Sequence, residues 1–122
     1  MNKNTKRWIG QETETRAIEY IKQQGYEIVA QNINFKVSEI DCIAFDPIKK
    51  EMIFFEIRGR QYGRSFERAL ESMGFKKQRK LLLAIQRFLQ LNPYMRYPIR
   101  VDFLCWDGRQ WQWIKNLFLP LR

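Results

Sequence analysis

SEIDCIAFDPIKKEMIFFEIR, residues Ser38 to Arg58, is the stretch whose reading decides the fold. From Ser38 to Phe45 the side chains alternate, with Ile40, Cys42 and Ala44 expected on one face and Glu39, Asp41, Ile43 and Phe45 on the other, which is the period of a β-strand. Asp46 and Pro47 open a turn that Lys49 and Lys50 continue, and Met52 to Arg58, rich in Ile and Phe, reads as the next strand. The two form a predicted hairpin. Reflecting one strand onto the other about a turn from Asp46 to Glu51 sets Asp41 opposite Glu56 and Glu39 opposite Arg58, all on one face.

Upstream of the hairpin, Ala17, Ile18 and Ile21 recur at helical spacing between Gln11 and Gln24, and Gly25 is a stop signal. Tyr26 to Ala30 reads as a short strand, with Gln31 to Lys36 an irregular or extended connection. Downstream, Gly59 to Ser65 reads as a loop and Phe66 to Met73 as a short helical turn. Lys76 to Leu91 is the strongest helix, with Leu81, Leu82, Ile85, Phe88 and Leu89 as its apolar stripe and Asn92-Pro93 as its end. Strands follow at Ile99 to Trp106 and Gln110 to Ile114, joined through Asp107-Gly108, and Lys115 to Arg122 reads as a tail packed by Leu117 and Phe118. This order predicts one α/β or α+β layer domain over residues 1–122.

Twenty-two Lys and Arg against thirteen Asp and Glu give a formal charge of +9, which makes nucleic acid the first candidate partner and a merely basic surface the alternative. There is no His, and Cys42 and Cys105 fall singly within strands, so the thiols read as reduced core residues. A zinc site or His-based proton transfer has no donors here, and any metal must be bound by oxygen. No apolar run follows the early basic residues Lys3, Lys6 and Arg7, and no stretch approaches a membrane span, so the expected location is the cytoplasm.

Like charges facing each other in a sheet destabilise it, so a fold that sets Asp41 beside Glu56 needs a positive species there. Mg²⁺ held by one or two carboxylates, with waters and phosphate oxygens completing its shell, meets that need. An ordinary ion pair, with Arg58 neutralising Glu39 and Asp41, meets it as well. Glu14 borders the buried stripe of the first helix, either as an acid favoured in a first turn or as a further ligand. Gln78 continues the stripe of the long helix toward its start, where it can border the core or face a site. Lys76, Lys77, Arg79 and Lys80 crowd a helix start, where the dipole disfavours cations. With Arg58, Arg60 and Arg64 they would form a basic rim for a phosphate backbone, or else a solvated charged face. Trp106, Trp111 and Trp113 suggest base-stacking surfaces, but Trp111 and Trp113 share a strand face, where core or dimer packing is equally natural.

The chain resembles the YraN family, small bacterial proteins with a restriction-endonuclease-like core of the PD-(D/E)XK superfamily, shared also by archaeal Holliday-junction resolvases. The resemblance rests on Gly10, Glu14 and Ala17, Gly25-Tyr26, Asn32, Ser38 to Ala44, Phe54 to Arg60, Tyr62-Gly63, Lys77-Gln78-Arg79, Arg100-Val101-Asp102 and Asn116-Leu117-Phe118, in order along nearly the whole chain. It implies an αβββαβ core with a mixed central sheet flanked by helices. It implies Mg²⁺ or Mn²⁺ at Asp41 and Glu56, a phosphate-stabilising role for Arg58, a metal-assisting Glu14 and a site-facing Gln78. Two departures stand out. Ser38 replaces a Gly, and Arg58 replaces the pattern's Lys with a guanidinium that carries charge but cannot act as a base.

Three functions are therefore in view. One is a metal-dependent endonuclease hydrolysing DNA phosphodiesters in repair, recombination or uptake, with branched, flapped or single-stranded DNA as its implied substrate. Another is a catalytically weak, structure-specific DNA-binding module working with a helicase or repair partner, the reading that Arg58 favours. A third is a homodimer joined through its aromatic strands.

Overall fold

The computed structural model describes residues 3–59, 66–93 and 95–117. Helix α1 spans Lys3–Gln23, strands β1, β2 and β3 span Glu27–Asn34, Glu39–Asp46 and Glu51–Gly59, helices α2 and α3 span Phe66–Glu71 and Phe75–Leu91, and strands β4 and β5 span Ile99–Trp106 and Trp111–Ile114. The five strands make one sheet in the order β1-β2-β3-β4-β5, antiparallel throughout except for the parallel pair β3–β4. A parallel pair needs a long crossover, and the segment carrying α2 and α3 supplies it. The result is a mixed α/β layer structure with an αβββαβ core and an added edge strand.

Each sheet face has its own core. On the α3 side, Ile43, Met52, Phe54, Val101, Phe103 and Cys105 meet Leu81, Ala84, Ile85 and Phe88, whose spacing puts them on one stripe of α3. On the α1 side, Cys42, Ala44, Ile53, Phe55, Ile57 and Leu104 meet Ala17, Ile18 and Ile21. The central strands are buried on both faces, which explains their near-continuous apolar sequence. Both cysteines are free and buried. Trp111 and Trp113 lie against the α1-side core, with Tyr20 stacked on Trp111 at 5.7 Å between ring centroids and Phe55 edge-on to Trp113 at 5.5 Å. These rings therefore serve intramolecular packing. Among the described residues no helix is long and apolar enough to cross a membrane.

Four expectations need correction. Helix α1 begins at Lys3 rather than Gln11, ahead of the apolar periodicity from which its start was inferred. Strand β1 runs on through Asn34, because a register shift between Ile28 and Ala30 and a left-handed Asn32 (φ 50°) interrupt the alternation that marks a strand. Ile40 joins the α3-side core while Cys42 and Ala44 join the α1 side, so the predicted single face breaks at Asp41. The β2–β3 ladder keeps the predicted register from Asp46–Glu51 to Cys42–Phe55, but no pair of Glu39 with Arg58 follows. Glu39 instead pairs with Asn34 of β1.

Candidate acidic site with a basic rim

The site forms where β2 and β3 part. Beyond the Cys42–Phe55 pair, the Ile57 N–H donates to Asp41 Oδ2 at 2.8 Å, so a side chain continues the interstrand bonding. This holds the Asp41 carboxylate against β3 one residue from Glu56. Burial and the Glu56 charge push the Asp41 carboxyl up to about 8, against the pull of the Ile57 N–H, with Glu14 and Glu39 adding further repulsion. Burial likewise raises Glu56, which is only 5% exposed, although Arg58 and Lys77 oppose the shift. The two acids lie close enough for the Glu56 charge to make Asp41 harder to ionise, although the directly opposed ladder pair expected of them is not formed.

Arg58 Nη1 meets Glu56 Oε1 at 2.8 Å, and Lys77 Nζ approaches the same oxygen at 3.9 Å. The guanidinium also donates from Nη2 to Met73 Sδ at 3.6 Å, which ties it to the connection between α2 and α3. The ion pair expected of Arg58 with Glu39 and Asp41 is thus formed with Glu56 instead, while Glu39 pairs along β1 with Asn34.

Glu14 reaches the cluster from α1. Burial raises its carboxyl first, then Glu39 and Glu56 do so by repulsion. Between the two helix and strand acids sits Asn32: with its amide nitrogen facing them, it donates to Glu14 Oε2 at 3.0 Å and to Glu39 Oε1 at 3.3 Å. Its left-handed backbone is one that Asn tolerates better than most residues. Sequence reasoning gave Asn32 no role at the site, and its place among the residues that carry the resemblance was its signal. A second residue without a predicted role is Gly59. A Cβ there would come within 2.9 Å of Thr13 Oγ1, so its lack of a side chain lets the end of β3 approach α1 beside Glu14.

Gln78 donates from Nε2 to the Met73 carbonyl at 2.7 Å, spanning the bend before α3. That bond gives it a structural task at the margin of the site. Lys76, Lys77, Arg79 and Lys80 are exposed on the first turns of α3, which has no acidic residue in its first turn. Arg60 and Arg64 lie outside the described residues.

The donor chemistry suits a hard divalent cation. All donors are carboxylate oxygens, and among the described residues no group of three acidic or thiol side chains is poised as a closed cage. A two-carboxylate set is what Mg²⁺ commonly uses, and a divalent charge there would offset the burial and the acidic neighbours that raise Asp41 and Glu56. Arg58 competes for the same Glu56 oxygen and already offsets part of that repulsion.

A mixed sheet with acids gathered at the split of two neighbouring strands, beside a basic helix start, defines the class of small α/β proteins to which the resemblance pointed. The family described as "Uncharacterised protein family UPF0102" matches residues 13–105, and the chain belongs to that family. A UPF0102 protein of Pseudomonas putida strain GB-1 is 36% identical over 115 residues, covering 89% of this chain and 91% of that protein. One from Pseudomonas syringae is 32% identical over 124 residues, covering 97% and 98%. A relative from Fusobacterium nucleatum is 33% identical over 111 residues, covering 91% of each. The family match includes Glu14, Asp41, Glu56, Arg58 and Gln78.

Proposed function

We propose that this chain binds DNA and hydrolyses its phosphodiester bonds with the aid of Mg²⁺ or Mn²⁺. The observation that carries the reading is the enforced closeness of Asp41 and Glu56, partly to fully buried, beneath the exposed cations of α3. A fold that only needed stability gains nothing from two mutually repelling carboxylates, and perturbed groups of this kind gather at functional sites. Asp41 and Glu56 would hold the ion, which supplies Lewis-acid polarisation of the phosphodiester. Lys76, Lys77, Arg79 and Lys80 grip the phosphate backbone, giving affinity that falls with salt. Arg58 offers a permanent positive charge to the phosphate as negative charge develops on it. Asn32 fixes Glu14 and Glu39 at the site's margin.

One observation favours a second reading, a DNA-binding module that does not cut. Arg58 occupies Glu56 Oε1 at 2.8 Å, and a guanidinium bound there can take the place of a metal. The two readings separate in one experiment. Labelled flap, junction and single-stranded DNA are incubated with the purified chain in Mn²⁺ and in chelator. Metal-dependent products that disappear in Asp41→Asn support cleavage, while retention of DNA without products, in the native chain and in Arg58→Lys, supports the module. A helicase or repair protein would then be the natural recipient of the bound DNA.

A further inference from the structure

Two neighbouring strands of the sheet each carry an arginine and a carboxylate two residues apart, and they use them differently. On β4 the pair closes as a two-armed clamp, with Arg100 Nε on Asp102 Oδ1 at 2.9 Å and Nη2 on Oδ2 at 3.0 Å, the arrangement that a guanidinium fork and a carboxylate favour. On β3 the arms part. Arg58 Nη1 meets Glu56 Oε1 at 2.8 Å, while Nη2 donates to Met73 Sδ at 3.6 Å.

The sulfur is fixed independently of Arg58. Met73 is buried in the α3-side core, its N–H donates to the Leu70 carbonyl at 3.0 Å, and its own carbonyl accepts from Gln78 Nε2 at 2.7 Å. A thioether is a weak acceptor. This one is already in place when the arginine reaches it, so Nη2 gains a partner without the cost of ordering another side chain. Lys77 does not fill the gap on the carboxylate, because it too comes nearest Glu56 at Oε1, with Nζ at 3.9 Å. A clamp closed by both arms of Arg58 would engage the second oxygen of Glu56 as well. Parting the arms leaves the carboxylate partly neutralised and still able to take a further cation.

We infer that Met73 is a positioning residue that draws one guanidinium arm of Arg58 away from Glu56 and so keeps that carboxylate open to a divalent cation. The inference rests on the proposed metal-binding role of Asp41 and Glu56, and adds to it the residue that lets an arginine stand at this place without closing the site.

The test measures Mn²⁺ binding to the DNA-free chain by electron paramagnetic resonance in the native protein, Met73→Leu, Arg58→Lys and the double variant. Asp41→Asn marks any signal from elsewhere on the surface, and thermal midpoints check folding. Leu is close to Met in volume but cannot accept the bond. Met73→Leu is expected to weaken Mn²⁺ binding by about twofold to tenfold, the range of one net hydrogen bond. Arg58→Lys has no second arm to release, so adding Met73→Leu to it should leave Mn²⁺ affinity unchanged, whereas a role of Met73 in packing alone would carry over into that background. Met73→Ile, equally without an acceptor, serves where Met73→Leu does not fold. Unchanged or tighter binding in Met73→Leu, or an equal loss in both backgrounds, overturns the inference and leaves the metal-binding role standing. Mn²⁺ bound by Arg58→Lys but not by the native chain means that the clamp closes despite Met73, and overturns the inference alone. Absence of Mn²⁺ binding by both overturns the inference and the metal-binding role together.

Discussion

Asp102 on β4 and Asp41 on β2 lie in one sheet under opposite conditions. Asp102 is fully buried, yet it accepts from Arg100 Nε at 2.9 Å and Nη2 at 3.0 Å, from Trp113 Nε1 at 2.8 Å and from the Asn116 N–H at 2.9 Å. Arg100 in turn reaches Tyr26 Oη at 3.4 Å and Glu51 Oε1 at 3.5 Å. This network binds β4, the end of β5, the start of β3 and the turn between α1 and β1 into one body. Asp41 has a single backbone donor and three acidic neighbours. The difference separates a carboxylate retained for architecture from one kept under electrostatic tension, and such tension is tolerated where a ligand relieves it.

The largest expected effect tests the satisfied half of that pair. Asp102→Ala leaves Arg100 buried without its bidentate acceptor and strands the Trp113 N–H, and should cost about 3–5 kcal/mol in urea unfolding, the usual result of breaking one side of a buried ion pair. A loss below about 1 kcal/mol would mean that the network is ornamental to stability. Next comes the contact that brings α1 to the acidic site. Gly59→Ala drives a methyl into Thr13 and should destabilise by about 1–3 kcal/mol, whereas Gly74→Ala meets nothing within 4 Å and should fall well below it. Equal effects at the two glycines would remove the close approach as a determinant of the site.

A smaller effect sharpens the tense half. The Asp41 carboxyl titrates near 8 in the folded chain and near its ordinary 3.8 once unfolded, so between those values the folded form holds the extra proton. Stability in chelator is therefore highest at the acid end of this window and declines as pH rises toward 8. Thermal midpoints from pH 5 to 8 should show this decline in the native chain and a shallower one in Asp41→Asn, with added Mg²⁺ countering it at pH 8. An identical slope in the two proteins contradicts the tension assigned to Asp41. Smallest is Lys77→Ala, which should leave folding almost untouched and reduce the slope of log affinity for DNA against log salt by about one contact. An unchanged slope would take Lys77 off the phosphate path.

Much of this contrast was legible in the sequence, though unevenly. The hairpin register followed from the turn at Asp46 to Glu51 and holds as far as Cys42–Phe55, one residue short of the expected Asp41–Glu56 pair, so that the two acids are near each other without being paired in the ladder. Strand β4 and the stripe of α3 followed from unbroken periodicity. Periodicity fails where side chains take over main-chain bonding, and for that reason the break at Asp41, the extension of β1 through Asn32 and the partner of Arg58 were not foreseen. The Arg100-Val101-Asp102 motif was visible as letters, but its partners Tyr26, Trp113 and Asn116 come from distant segments that only the fold assembles. Gln78 shows the same limit, because a helix stripe cannot reveal that its amide reaches back to Met73.

The two thiols offer a reporter that the chain carries without labelling. Cys42 is inaccessible beside Asp41, with burial and then the neighbouring charge pushing its ionisation up to about 12, and Cys105 lies buried under the α3 side of β4. Neither presents a reactive thiolate until its strand is exposed. Alkylation kinetics of the untagged protein would thus clock the opening of two strands separately, and a ligand seated at the acidic split should slow modification at Cys42 more than at Cys105.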